Sequence, residues 1–393
     1  MYLRRAGFFL RIAIQSEIQH NHGQLERDNV VHQTVKGWLR RFEGPSTLML
    51  AHGMAEDTGF NIEVYAKTDV GSVRPGNEDN FVVLNLSTAD TWKPDVNDGQ
   101  PSRNLTSFTQ SHYGALIAVT DGMGGALAGE VASRLAVECV RDRMLELQAS
   151  PTYSKFPFYE RLRLSVELAN LYIYQMSLKR SECSGMGATF TAAGLHGTTA
   201  YFGQVGDSRA YVVRSGQARQ ITRDQSLVGQ LVEAGHITAE EAERHSYKNV
   251  ILQALGAAPS INVVVDRVPL QDMDILVLCS DGLSNKVRAE EITSEVNRAR
   301  SLKEACDSLI SLANERGGED NITVVVAQVS GGKLRPSDAN NTNETLPLAS
   351  NTPAQDRWGA ETLPRDPDLP YEIDDVLLDD EEETIPPTGS LES

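Results

Sequence analysis

The stretch TFTAAGLHGTTAYFGQVGDSRAYVVR, residues 189–214, decides the fold class of this chain. It contains three short runs that are rich in β-branched and aromatic residues and are bounded by Gly or Asp, as β-strands usually are. No segment long enough for a helix separates one run from the next, whereas a doubly wound fold would alternate strands with helices. The stretch therefore predicts consecutive antiparallel hairpins.

Similar strand-like runs lie on both sides of this stretch. They are FVVLNL (81–86), ALIAVTD (115–121), INVVVDRV (261–268), DILVLCSD (274–281) and NITVVVAQV (321–329). Residues 129–148 and 158–178 instead repeat apolar positions every three to four residues, which predicts two helices. A shorter helical patch at 227–245 is expected to leave the core as a surface excursion. Together these patterns predict an α+β fold, with helices packed outside antiparallel sheets.

Composition divides the chain into three segments. Residues 1–53 carry a net charge of +3, and residues 333–393 carry a net charge of −11. The acidic segment is rich in Asn, Thr, Pro and Ser, so we predict that it is disordered. The basic segment is interpreted either as sequence upstream of a true start at Met54 or as an arm that touches a membrane or partner. Because it lacks a continuous apolar face, the first interpretation is favoured, and 54–332 is taken as the main folded domain.

The overall charge and the cysteines exclude several classes of function. With a net charge of −18, the chain is a poor binder of polyanions, so no nucleic-acid partner is expected. No run approaches the roughly 18 apolar residues that a membrane span needs. The four cysteines show no CxxC spacing and resemble reduced core thiols, which favours a cytoplasmic protein. We expect this protein to be a monomer.

Three acidic residues stand where predicted strands begin or end. Asp121 follows ALIAVT, Asp281 follows LVLCS, and Asp320 precedes NITVVV. Carboxylates at strand ends can converge at one edge of a sheet, and hard oxygen ligands of this kind suit Mg²⁺ or Mn²⁺. The alternative is that these residues form ordinary Asp-Gly and Asp-Asn turns. A single dipeptide of this kind is weak evidence for a metal site.

Seven motifs surround these acids in a fixed order along the chain. They are TDVGSVRPGNEDN (68–80), DGMGGALAGEVAS (121–133), GMGATF (185–190), VGDSRAY (205–211), TRDQS (222–226), CSDGLSNKV (279–287) and GGEDNITVVV (317–326). With these motifs the chain resembles the protein phosphatase 2C family, in its compact bacterial branch, over roughly residues 60–330. The resemblance implies a four-layer αββα sandwich of two antiparallel sheets with a binuclear metal centre at one edge. It also implies a serine/threonine protein phosphatase.

The resemblance assigns a role to each member of the centre. Asp121 would bridge two Mn²⁺ or Mg²⁺ ions, and Gly122 would contribute its backbone carbonyl. Asp281 and Asp320 would complete one metal, and Glu78 would support the second directly or through water. A water held between two cations loses a proton easily and can attack phosphorus directly.

Other positions follow or depart from the family pattern. Arg74 would hold the phosphate in its planar fork. Asp207 would bind a third, weaker metal or else cap a turn, and Asn285, where many relatives place an acid, weakens such a third site. Met123 occupies a position where many eukaryotic relatives carry a histidine, so another group must protonate the leaving group. Gln225 also stands where histidine is usual.

The acidic tail contains an internal repeat. The copies are ETLP (344–347), ETLP (361–364) and ETIP (383–386). One hypothesis is that Thr345, Thr362 and Thr384 are phosphorylated by a partner kinase and then bound by a phosphothreonine-reading domain or by the phosphatase itself. The alternative is biased composition, which produces short repeats.

The sequence thus supports one leading function and two rivals. The leading function is hydrolysis of phosphoserine and phosphothreonine in proteins, with serine/threonine kinases and their targets among the expected partners. A catalytically weak phosphopeptide-binding regulator is the second possibility, and a scaffold that works through its tail is the third. The complete set of predicted ligands favours the enzyme, because catalytically dead relatives usually lose at least one.

Overall fold

The computed structural model describes residues 59–94, 105–124, 126–336 and 346–347. Its longer strands are β1 (Asn61–Asp69), β2 (Asp79–Asn85), β4 (Leu105–Thr109), β5 (Ala115–Met123), β7 (Phe190–His196), β8 (Thr199–Val205), β9 (Arg209–Arg214), β10 (Gln217–Gln220), β11 (Val264–Pro269), β12 (Ile275–Cys279) and β13 (Ile322–Ser330). Two-residue strands are β3 (Thr91–Trp92), β6 (Gly187–Ala188) and β14 (Leu346–Pro347). The helices are α1 (Ala126–Ala149), α2 (Phe158–Lys179), α3 (Leu227–Glu233), α4 (Ala239–Glu243), α5 (Asp281–Ser284), α6 (Ala289–Arg298) and α7 (Leu302–Glu315).

The strands form two antiparallel sheets, as the sequence predicts. One has six strands in the order β10-β9-β12-β13-β1-β4, and the other runs β14-β11-β8-β7-β5-β2-β3, with β6 paired to β5. Of the two hairpins that the opening stretch predicts, β7–β8 is present, and Phe190 pairs with Val205 in its ladder. The predicted β8–β9 hairpin does not form. Neighbouring β9 belongs to the other sheet and pairs with β12.

Alternate residues of the central strands enter different cores, and this creates four layers. In β13, Val325 and Ala327 pack between the two sheets with residues such as Phe202. Val324 of the same strand packs instead with Leu309 of α7. Strands buried on both faces read as unbroken apolar runs, as in the sequence VVV at 324–326.

The eight-stranded sheet has its own helical layer. Its outer face contributes Val82 and Leu116 to a core that includes Val140 of α1 and Leu162 of α2. Together with the α6–α7 layer on the other sheet, this gives the αββα sandwich that the family resemblance implies. Within the described ranges, no helix combines the length and apolar character that crossing a bilayer requires.

Several elements escape the sequence patterns. The predictions omit α6 because its buried side chains are only Ile292 and Val296, which lie four residues apart in a mostly polar segment. They also omit α7, whose buried stripe uses small residues such as Ala305 and Cys306 as well as leucines. Strand β5 continues two residues past Asp121, and the 227–245 patch divides into α3 and α4. The predicted segment 1–53 lies outside the described residues, as does most of 333–393, so the three-segment division stays a prediction.

Candidate metal centre

Strand pairing brings the predicted acids to one end of the sandwich. Asp79 of β2 pairs with Asp121 of β5 in the eight-stranded sheet. In the other sheet β12 pairs with β13, so Asp281, which begins α5 just after β12, lies beside Asp320, which comes just before β13. Asp207 lies in the turn between β8 and β9. The acids thus come from both sheets and meet where their strands end.

Two glycines allow the backbone to approach closely at this end. A Cβ atom on Gly282 would lie 1.9 Å from the carbonyl oxygen of Asn321. A Cβ atom on Gly122 would lie 2.0 Å from the carbonyl oxygen of Gly129 in α1. Each glycine directly follows a predicted ligand in the sequence, so these close approaches fix the positions of the ligands. Any larger residue would separate the segments.

Asn321 ties the loop before β2 to the start of β13. Its Oδ1 accepts a hydrogen bond from the N–H of Glu78 at 2.8 Å. Its Nδ2 donates to the carbonyl oxygens of Val70 and Gly76, both at 2.9 Å. The side chain is buried, and it sets the path of the loop that carries Arg74. Sequence reasoning gave this asparagine no role, and its only signal was its place between Asp320 and an apolar strand.

Glu78 and Arg74 lie beside the acids, as predicted. The Glu78 side chain lies against α1, since a Cβ atom on Gly129 would meet its Oε2 at 2.2 Å. Arg74 donates from Nη2 to Oδ2 of Asp320 at 2.9 Å, and about half of its side chain is exposed. Its guanidinium therefore lies at the rim, between the acidic centre and solvent.

The electrostatics of the centre are those of uncompensated negative charge. Loss of solvation, followed by repulsion from Asp79 and Asp281, raises the pKa of Asp121 well above its usual range. Burial raises the pKa of Asp79 to about 7 despite hydrogen bonds that favour its charged form. The pKa of Asp207 is also raised to about 7 by burial and by Asp281. For Glu78 loss of solvation raises the pKa, although Arg74 opposes the shift. A bound cation would remove this repulsion.

The oxygen atoms of the centre suit a hard cation. Within the described residues, the Oδ1 atoms of Asp79, Asp207 and Asp281 are buried and have no hydrogen-bond partner. Buried carboxylate oxygens in that condition are costly unless they coordinate a metal, and oxygen ligands are those that Mg²⁺ and Mn²⁺ prefer. The residues present therefore fit the ions that the family resemblance implies.

The carboxylate oxygens of the centre do not converge on a common point in this structure. In the part of the chain that the structure describes, no three His, Cys, Asp or Glu side chains converge at metal-ligand distance. Asp320 accepts the hydrogen bond from Arg74, and Oδ2 of Asp281 accepts one from Nδ2 of Asn285 at 3.0 Å. Both carboxylates would have to give up these donors, or share them, in order to coordinate ions.

The turn that carries Asp207 is held by the segment that follows β10. Gln225 accepts a hydrogen bond from the N–H of Gly206 at 2.9 Å, and its backbone carbonyl accepts one from the N–H of Leu252 at 2.8 Å. Arg209 makes a bidentate ion pair with Asp224 on the same segment. Gln225 therefore links the Asp207 turn to the surface excursion, a role that its sequence position alone did not indicate.

The structure also places Met123 and His245, which take part in none of the contacts described above for the acids. Met123 ends β5 opposite Gly187. His245 follows α4, and its Nδ1 accepts a hydrogen bond from the N–H of Tyr247 at 3.2 Å. This contact places His245 in a turn, where it stabilises the local backbone. The three tail threonines lie outside the described residues.

An αββα sandwich whose sheets bring buried carboxylates to one end, with an arginine at the rim, has the features of a metal-dependent phosphatase. The sequence profile described as "Protein phosphatase 2C" matches residues 95–323. The chain belongs to the protein phosphatase 2C family. This confirms the family that the seven motifs predict.

Named relatives and solved structures agree with this assignment. The serine/threonine phosphatase stp of Listeria welshimeri is 36% identical over 262 residues, which cover 67% of this chain and 94% of that protein. Protein phosphatase PhpP of Streptococcus pneumoniae is 34% identical, over 59% of this chain and 94% of its own length. The Mycobacterium tuberculosis serine/threonine phosphatase PstP/Ppp superposes with a TM-score of 0.55 at 31% identity, covering 69% of this chain and all of that one. A structure of the PstP catalytic domain contains two manganese ions (TM-score 0.54, 31% identity, 69% and 100% coverage).

These likenesses confirm the predicted fold and the predicted enzyme class. The chain is a protein serine/threonine phosphatase of a metal-dependent family, and the regulator without turnover is not favoured. The roles of individual side chains stay predictions.

Proposed function

We propose that this phosphatase removes phosphate from serine and threonine residues of proteins, and that its acidic centre holds two Mn²⁺ or Mg²⁺ ions. The observation that carries the proposal is a set of carboxylates at one end of the sandwich, Asp79, Asp121 and Asp281, whose pKa values are raised by loss of solvation and mutual repulsion. Such a set is unstable without a compensating cation. When bound, the ions would lower the pKa of a water and neutralise charge on the phosphate.

The proposed ligands are those that the family resemblance assigns. Asp121 would be shared by both ions, with the carbonyl of Gly122 beside it. Asp281 and Asp320 would hold one ion, and Glu78 would support the other. The two manganese ions in the PstP structure support this number. A third, weaker ion at Asp207 is part of the proposal, since its Oδ1 is buried without a hydrogen-bond partner among the described residues.

Arg74 is the proposed phosphate-binding side chain. Its half-exposed guanidinium is tied to Asp320 through Nη2, which leaves other N–H groups able to reach an incoming anion. The planar fork of arginine matches two phosphate oxygens. The loop that carries Arg74 is fixed through Asn321, so the guanidinium would be positioned before substrate arrives.

The leaving group needs a proton from elsewhere than position 123. Met123 carries no ionisable proton, so a water or an exposed acid at the rim would supply it. The acids that would hold the ions are not assigned that task.

Phosphorylated proteins are the proposed partners, with serine/threonine kinases and their targets among them. The cysteines in the described ranges are free, and Cys183, Cys279 and Cys306 are buried. Buried free thiols support a protein of a reducing compartment, and we propose a cytoplasmic enzyme.

Hydrolysis of a phosphothreonine peptide tests the proposal. The full-length chain should lose activity in EDTA and regain it with Mn²⁺. The substitution Asp281→Asn should lower kcat/KM by about a hundredfold or more, because ligand loss costs at least as much as loss of a residue that orients a ligand. The matched control is Asp272→Asn, whose carboxylate accepts a hydrogen bond from Gly331 N–H away from the centre. Activity that survives EDTA, or equal rates in Asp281→Asn and wild type, would defeat the mechanism.

A further inference from the structure

One edge of the eight-stranded sheet is built from two distant parts of the chain. Strand β11 pairs with β8 along its whole length, from Val264 to Pro269. On its other side it pairs with β14, where Leu346 lies opposite Arg267 and Pro347 opposite Asp266. The tail strand therefore covers backbone groups of β11 that an edge strand would expose.

The two residues of β14 belong to the repeat of the tail. They are the third and fourth residues of the first ETLP copy, and the same two positions read Leu-Pro at 363–364 and Ile-Pro at 385–386. Of residues 337–393, the structure describes Leu346 and Pro347 alone. Beyond residue 336, the described contact with the domain is thus made by the repeated motif itself.

The chemistry of the motif suits a very short edge strand. Pro347 has no N–H, so the Asp266–Pro347 pair cannot exchange two backbone hydrogen bonds, whereas the Arg267–Leu346 pair can. A proline also prevents the strand from continuing, which is how natural edges limit further pairing. The β-branched threonine before the Leu or Ile favours the extended conformation.

Charge favours the same contact. Arg267 is exposed on β11, and each copy begins with a glutamate two residues before the Leu or Ile. The tail as a whole carries a net charge of −11. An acidic peptide is therefore attracted to an edge that presents an arginine.

The tether makes so short a contact effective. The chain is fixed at Arg335, whose carbonyl accepts a hydrogen bond from Asp272 N–H and which bridges to Gln271. Gln271 lies four residues beyond Arg267, a span of roughly 14 Å at strand spacing. A random chain of eleven residues, the number from Arg335 to Leu346, has a root-mean-square reach of about 18 Å, which is comparable with that span. A matched short linker gives an effective concentration in the millimolar range, enough for a weak contact.

We infer that the edge of β11 opposite β8 is a docking site for one E-T-[L/I]-P segment at a time, and that the three copies in the tail compete for it. At equal intrinsic affinity, linkers of 28 and 50 residues disfavour the second and third copies by about fourfold and about tenfold relative to the first. The first copy is then the main occupant, and either of the others replaces it when it is disrupted. Exchange would decide which of the three threonines lies next to the domain and which remain open to a kinase.

Disulfide trapping in the full-length chain tests the competition. One thiol is introduced by Arg267→Cys and a second by Leu363→Cys, in a chain that also carries Leu346→Pro to remove the N–H of the first copy. The matched control replaces Leu363→Cys with Ala354→Cys, which lies between two copies and closer to Arg335. Crosslink formation is followed at high dilution by peptide mass mapping, which separates the introduced pair from the native cysteines.

Docking and its absence predict opposite orders for the crosslinking rates at positions 354 and 363. In a chain without docking, the thiol at 354 forms the crosslink about twofold faster than the thiol at 363, because its loop is shorter. Docking predicts that position 363 reacts at least about threefold faster than position 354, since the copy holds it at the edge. A synthetic peptide NETLPLAS, residues 343–350, at millimolar concentration should slow the reaction at 363.

Two results would overturn the inference. One is a rate at 354 equal to or above that at 363. The other is a rate at 363 that the peptide does not change. Neither readout depends on phosphatase activity.

Discussion

Replacing Asn321 with alanine should lower both the stability of the fold and the affinity of the enzyme for Mn²⁺. The side chain makes three hydrogen bonds to the loop before β2, one from Glu78 N–H and two to the carbonyls of Val70 and Gly76. At about 1 kcal/mol net for each bond, with the two carbonyls able to recruit water, Asn321→Ala should lower the free energy of unfolding by about 2–3 kcal/mol. The same change frees the loop that carries Arg74.

Two assays measure these effects. Urea unfolding in EDTA gives the stability change without any contribution from ions. Hydrolysis of p-nitrophenyl phosphate over a Mn²⁺ titration should show a higher half-maximal Mn²⁺ concentration and a higher KM, because Glu78 and Arg74 are no longer positioned. The matched control is Asn297→Ala, which removes one exposed hydrogen bond to Gly216 on the far surface and should cost about 0.5–1 kcal/mol.

The reasoning is refuted if Asn321→Ala unfolds at the same urea concentration as Asn297→Ala and keeps the Mn²⁺ dependence of wild type. Loss of stability with an unchanged Mn²⁺ titration would show that the loop is positioned without this asparagine.

Three other substitutions test separate parts of the structure. Gly282→Ala places a Cβ atom 1.9 Å from the Asn321 carbonyl oxygen, so the backbone must move; a fall in Mn²⁺ affinity and in Tm is expected by calorimetry, and wild-type values would show that the close approach is relaxed in solution. Arg74→Lys keeps the charge but not the planar fork, so KM for a phosphopeptide should rise more than kcat falls, and an unchanged KM would remove Arg74 from phosphate binding. The buried guanidinium of Arg214 donates hydrogen bonds of 2.8 and 2.6 Å to the carboxylate of Asp274. Asp274→Ala leaves this guanidinium unpaired and should lower the free energy of unfolding by about 3–5 kcal/mol in urea. A loss under about 1 kcal/mol would contradict the burial of the pair.

How much of the fold the sequence predicts depends on how each segment is buried. Strand β13 was predictable because both of its faces enter cores and its sequence is a run of valines. Helix α7 was not, since alanine and cysteine supply part of its buried stripe and leave a weak apolar period. Strand β14 has two residues, too few for any periodic pattern, and its pairing depends on a partner almost 80 residues away.

For the metal centre, the ends of the predicted strands indicated which acids take part, but not which residues fix their positions. The positions of Asp121 and Asp281 followed from the ends of apolar runs. The tie through Asn321 joins residues that are more than 240 positions apart, so no local spacing records it. The same holds for the contact between Arg74 and Asp320, which is a tertiary hydrogen bond between two loops. Local patterns predict which residues reach an edge, and only the packed structure shows which of them touch.

Isothermal titration of the metal-stripped full-length chain with Mn²⁺ is the most direct test of the central claim. Two tightly bound ions are expected for each chain of the wild type, beside the weaker one proposed at Asp207, with loss or marked weakening of one of the two in Asp281→Asn. Binding of no ion by the wild type, or an identical titration in the variant, would contradict the assignment of the acidic centre as a paired metal site.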